Sequence, residues 1–69
     1  MREQILKTLK SHATSNINLH RTNIEIYLRN PVGIGEHSDI MEAIQDELDK
    51  MAVHTDRLEA VEWIENDEG

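Results

Sequence analysis

The chain has no cysteine and no phenylalanine, and its only other aromatic residues are Tyr27 and Trp63. Without thiols, a disulfide framework and a thiolate metal site are both excluded. The shortage of aromatics weighs against sandwiches and barrels, whose strands draw on aromatic and β-branched side chains. Chain breakers are scarce as well: one proline, Pro31, and three glycines, two of which, Gly33 and Gly35, follow close behind it. No apolar run approaches the ~18 residues that cross a bilayer. The segment Met1-Arg2-Glu3-Gln4-Ile5 lacks the apolar stretch of a signal peptide. A cytoplasmic location is therefore expected, with no membrane contact.

Basic residues are the next shortage, and it is local. The formal net charge is −7. Residues 1–35 carry Arg2, Lys7, Lys10, Arg21 and Arg29 against Glu3 and Glu25, whereas residues 36–69 carry only Lys50 and Arg57 among a large excess of Asp and Glu. Direct binding to nucleic acid needs Lys and Arg to neutralise phosphates, which the second half cannot supply. A basic protein surface suits it better. At 69 residues the chain is one domain, and a chain this short is marginal alone. Disulfides being excluded, association with copies of itself is the common remaining source of stability.

The apolar residues that are present lie on helical periods. Ile44, Leu48, Met51, Thr55 and Leu58 alternate in steps of four and three, the spacing of a seam between packed helices, and Ile40 and Val61 extend it at each end. This predicts a helix over residues 39–65, with Ser38 or Asp39 as its N-cap and Asp39 and Glu42 in its first turn. Leu6, Leu9, Ala13, Ile17, His20, Ile24 and Tyr27 with Leu28 form a similar stripe, which predicts a helix over 3–29. Thr14-Ser15-Asn16 and Thr22-Asn23 are poor helix formers. Two alternatives therefore stay open. The helix could break near Ser15, with Thr22 to Glu25 as the capping box of a second short helix, or Ile17 to Leu28 could form two short strands. Pro31 disfavours the α region at Asn30, so residues 30–38 are read as the link, with Val32 and Ile34 capping the core. Residues 66–69 are read as a frayed tail.

The run Arg21-Thr22-Asn23-Ile24-Glu25-Ile26-Tyr27-Leu28-Arg29-Asn30-Pro31-Val32-Gly33-Ile34-Gly35-Glu36-His37-Ser38-Asp39 carries a resemblance. It is similar to a family of small proteins encoded by large contractile-tailed phages of marine cyanobacteria and similar aquatic bacteria. Those proteins carry a like Asn-Ile-Glu-Ile-Tyr-Leu and Asn-Pro-Val-Gly-Ile-Gly-Glu-His core, followed by an acidic helix like Ile40–Leu58. The resemblance spans residues 17–60 and implies a phage origin, and with it the cytoplasm of an infected host. It implies no activity.

No residue pattern specifies a reaction, and the chain is not expected to be an enzyme. The Gly33-Ile34-Gly35 turn lacks the third glycine of a dinucleotide fingerprint and the Gly-Lys-Ser/Thr of a P-loop, and Glu36 and Asp39 would repel phosphate. Ser11, Ser15 and Ser38 lack the strained turn of a nucleophile. Glu36, His37 and Asp39 cluster, but no Glu-x-x-His or His-x-x-x-His pair falls on one helix face, as a di-iron bundle requires. His37 is expected to hydrogen-bond the link or the second helix's N-terminus, and His20 to be a satisfied interface histidine. No cofactor and no metal are expected.

The sequence thus points to an all-α chain, a two-helix antiparallel hairpin that pairs into a four-helix bundle or higher oligomer. Its expected oligomer interface is Leu9, Ala13, Ile17, His20, Ile24, Ile44, Leu48, Met51, Thr55 and Leu58. Charge runs are mostly solvated faces, yet Asp46, Asp49, Asp56, Glu59 and Glu62 could present carboxylates to a basic host or virion protein. Trp63 lies off the stripe. It is expected to cap the bundle end near Leu6 or Leu9 of a neighbouring helix, or else to anchor a partner. The expected function is that of a non-enzymatic interaction protein that self-associates. Alternatives are an acidic nucleic-acid mimic that inhibits a host DNA- or RNA-binding protein, and a small metal-binding helical bundle.

Overall fold

The computed structural model describes residues 1–29 and 37–67, without the side chains of His37 and Ser38. It is a hairpin of two long helices, α1 (Arg2–Arg29) and α2 (His37–Asn66). The two lie side by side in a rod of 55 × 15 × 12 Å. The expectations for Pro31, Val32, Gly33, Ile34, Gly35 and Glu36, for the His37 hydrogen bond and for Glu68-Gly69 lie outside the described residues.

The helix α1 runs unbroken through Thr14-Ser15-Asn16 and Thr22-Asn23, so neither a break nor strands occur there. Several short polar side chains turn back onto their own helix. Thr8 Oγ1 donates to the Gln4 carbonyl at 2.9 Å, and Asn16 Nδ2 donates to the His12 carbonyl at 2.9 Å. Thr55 Oγ1 does the same to Met51 in α2 at 3.0 Å. The helix α2 begins at His37, two residues before the expected start, which places Ser38 in the first helical turn rather than at the cap. Such terminal shifts of a residue or two are ordinary fraying.

The seam between the helices follows a strict four-three alternation. On α1 the least exposed positions are Leu6, Lys10, Ala13, Asn16 with Ile17, His20, Asn23 with Ile24, and Tyr27; on α2 they are Ile40, Ala43 with Ile44, Glu47, Met51, His54, Leu58, Val61 and Glu65. This 3.5-residue period is that of coiled-coil packing. Two positions differ from the sequence expectation for α2. Leu48, at 44% exposed, and Thr55 face away from α1, and Glu47 and His54 occupy those turns instead. On α1, Leu9 is 47% exposed, and Lys10 takes its place in the seam. Among the described residues, only Leu6 and Ala13 are buried, at 8% and 3% exposed.

The open end of the hairpin is tied by charge. Lys10 Nζ donates to both carboxylate oxygens of Glu65 at 2.8 Å. Glu65 stands in the last turns of α2, where a carboxylate is opposed by the helix dipole, and the ammonium offsets that. Arg2 supplies a second cation, donating to the Ile64 carbonyl at 3.4 Å.

Candidate functional site

A polar layer crosses the middle of the seam, where an isolated hairpin would ordinarily place apolar side chains. Glu47 reaches across from α2 and accepts two hydrogen bonds on one oxygen, from His20 Nδ1 at 2.8 Å and from Asn23 Nδ2 at 2.8 Å. A carboxylate has no proton to give, so His20 carries its own on Nδ1. These bonds hold the Glu47 carboxyl below its ordinary value, the His20 bond first and the Asn23 bond second, with Lys50 adding a smaller attraction.

His54 stands one heptad beyond Glu47. Its ring stacks on His20, with centroids 6.0 Å apart and planes 17° apart, and meets His12 edge-on at 5.9 Å. Asn16 Nδ2 lies 3.4 Å from His12 Nε2. The Nδ1 atom of His54 is enclosed with no hydrogen-bond partner. Burial pushes the His54 imidazole below its ordinary value, and the charges of Arg57, His12 and His20 push the same way. Three imidazoles thus gather along the seam, but among the described residues no group of three or more His, Cys, Asp or Glu is arranged to hold a metal ion.

The outward side of α2 is acidic. Asp46, Asp49, Asp56, Glu59 and Glu62 are all exposed. Asp49, Asp56 and Trp63 are spaced by sevens and so share one face. Asp56, Glu59, Ala60 and Trp63 line one shallow depression. Trp63 is 69% exposed, so within the hairpin it caps nothing. Asp46 and Glu62 lie to either side of that face and do not join the depression.

Of the ten expected interface residues, Ala13, Ile17, His20, Ile24, Ile44, Met51 and Leu58 fall in or beside the seam within the chain, while Leu9, Leu48 and Thr55 are exposed. The residues missed from sequence are His12, Asn23, Glu47 and His54. The available signal was position: Glu47 and His54 continue the alternation through Ile40, Ile44, Met51, Leu58 and Val61. Together these features define a class, an antiparallel helical hairpin with a histidine-carboxylate layer in its seam and an acidic outer face. No family model, no curated protein and no solved structure matches the chain. No helix among the described residues is long and apolar enough to cross a membrane.

Proposed function

We propose that this chain is a non-enzymatic interaction protein, phage-encoded, that self-associates through its apolar flanks and offers the acidic outer face of α2 to a basic protein. The observation that carries this reading is the poverty of the core. Among the described residues, helices of 28 and 30 residues bury only two side chains, while Ile5, Leu9, Leu19, Ile26, Val53 and Ile64 stay about half exposed and Trp63 more so. Isolated hairpins of this size need further burial to be stable. Sedimentation or light scattering is the test: a mass at least twice 8.0 kDa is expected, and a folded monomer at every concentration would remove the reading.

The column Glu42, Asp49 and Asp56, with Trp63 at its end, favours a second reading, mimicry of a nucleic-acid backbone. The net positive charge of α1 argues against it, since a mimic gains from acidity on every side. Competition with nucleic acid for a basic protein separates the two readings. Mimicry requires displacement that weakens steeply with salt, whereas an ordinary protein contact anchored by Trp63 persists.

A further inference from the structure

The two helices leave one flank of the hairpin unfinished. A groove on that flank is lined by Leu9, His12 and Ala13 of α1 and by Arg57, Ala60 and Val61 of α2, which fixes these sides of the two helices on one face. Helical spacing extends it. Ile5 lies four residues before Leu9, and every seventh residue from Ile5 falls on the same line: His12, Leu19 and Ile26. Val53 lies seven before Ala60 and Ile64 four after it. The result is an apolar stripe running the length of the rod. Its six large side chains, Ile5, Leu9, Leu19, Ile26, Val53 and Ile64, are between 46% and 60% exposed. It sits roughly a quarter turn from the seam on each helix, where the third and fourth helices of a bundle would pack.

The opposite flank is poorer. Leu28, Met41 and Leu48 are exposed there, but Lys7, Arg21 and Glu62 share the flank, and the apolar residues gather towards one end.

Surface area points to the occupant. The hairpin exposes 5519 Å². A compact monomer of 8.0 kDa presents ~4,450 Å², so the excess is about 1,100 Å². A specific interface removes roughly 800 Å² or more from each partner. One further copy is therefore enough to bring the chain to ordinary burial. The net charge of each whole helix favours one arrangement, although the flank of α2 itself carries Lys50 and Arg57 beside Asp46. The described part of α1 carries three more basic than acidic residues, and that of α2 seven more acidic than basic. Two hairpins placed face to face set α1 over the other copy's α2, or like over like, and the second would oppose the two acidic helices.

We propose that the flank carrying Leu9, Leu19 and Ile64 docks on the same flank of a second copy of this chain, with α1 of each copy over α2 of the other. The Arg29 and His37 ends of both hairpins then lie together. His12 and Asn16 on α1 and Asp46, Lys50 and Arg57 on α2 interrupt the stripe and oppose sliding, as polar residues in helical interfaces do. Leu48 and Thr55 remain outside. The assignment rests on the self-association proposed above and specifies its face and geometry.

The test uses the whole chain. Wild type should sediment as a dimer. Leu9→Glu and Leu19→Glu should each weaken dimerisation at least a hundredfold, whereas Leu48→Glu should leave the mass unchanged. Circular dichroism accompanies each variant, and because a dissociated variant could also unfold, a second measurement keeps the native surface largely intact. The chain lacks cysteine, so copies bearing Leu9→Cys can be mixed with tagged copies bearing Ile64→Cys or Ala43→Cys and treated with a short bis-maleimide. Coupling of the Leu9→Cys copy to the Ile64→Cys copy is expected. A monomeric wild type overturns both the self-association and this face. A dimer that only Leu48→Glu dissociates overturns the face and leaves self-association standing. Preferred coupling to Ala43→Cys overturns the arrangement of the two copies.

Discussion

His54 is the side chain on which acid should act first. Its ring packs against His12 and His20, with Arg57 three residues further along its own helix, and its folded-state pKa lies below the ordinary 6.5. The unfolded chain therefore takes up a proton more readily than the folded one. The stability that His54 contributes is complete above its unfolded value and falls as the pH drops below it. Glu47 acts in the same direction at lower pH: its carboxyl, held below 4.5 by His20 and Asn23, contributes stability that is lost as it protonates. The melting temperature should thus fall as the pH drops below about 6.5. His54→Leu should flatten that decline and leave the steeper loss at carboxylate pH in place. A variant that declines as steeply as wild type would move the effect to another group. By contrast, the Lys10–Glu65 pair is a third exposed on both sides, and a double-mutant cycle should credit it with no more than about 1 kcal/mol.

At the scale of the helix, two substitutions separate what the backbone needs from what the seam needs. Thr22 is exposed within α1. Thr22→Ala should raise stability by about 0.5 kcal/mol, because alanine is the better helix former. Were Thr22 the cap of a separate helix, the same change would cost about 1 kcal/mol, so the sign of the shift in a denaturant titration decides. Ala13, at 3% exposed, marks a close approach of the helices, and Ala13→Leu should overpack it at a cost of about 1–3 kcal/mol, seen as a lower midpoint. Much of this was legible in the sequence. Leu6, Ala13, Ile17, Ile24, Ile44, Met51 and Leu58 lie where their spacing put them. Leu48 and Thr55 lie outside the seam within the chain for one reason. On α2 the series through Leu48 and Thr55 and the series through Glu47 and His54 share Ile44, Met51 and Leu58, and hydrophobicity alone favours Leu48 and Thr55. What settles the hairpin seam is the polar complement on α1, His12, His20 and Asn23, which the pattern of a single helix does not reveal. The expected turn at Pro31 to Gly35 lies outside the described residues.

For the molecule as a whole, dimensions govern the outcome. A rod 55 Å long and 15 Å across has too little interior to bury its apolar side chains, and lengthening the helices adds surface as fast as core. Adding a second rod adds core without lengthening either. If folding and pairing are coupled in this way, stability becomes a property of concentration, because mass action favours the state that binds itself. Each tenfold increase in protein should add about 1.4 kcal/mol per dimer. For two chains of 69 residues that corresponds to a rise of about 5 °C in melting temperature. Differential scanning calorimetry across a hundredfold concentration range would register it as a steady climb. The exposed carboxylates of α2 are acceptor-only groups on an outer face and should not alter that slope, so Asp49→Asn and Asp56→Asn ought to climb in parallel with wild type. A melting temperature that holds constant over the range would mean that each hairpin stands alone, and that Leu9 and Leu19 are wet in solution.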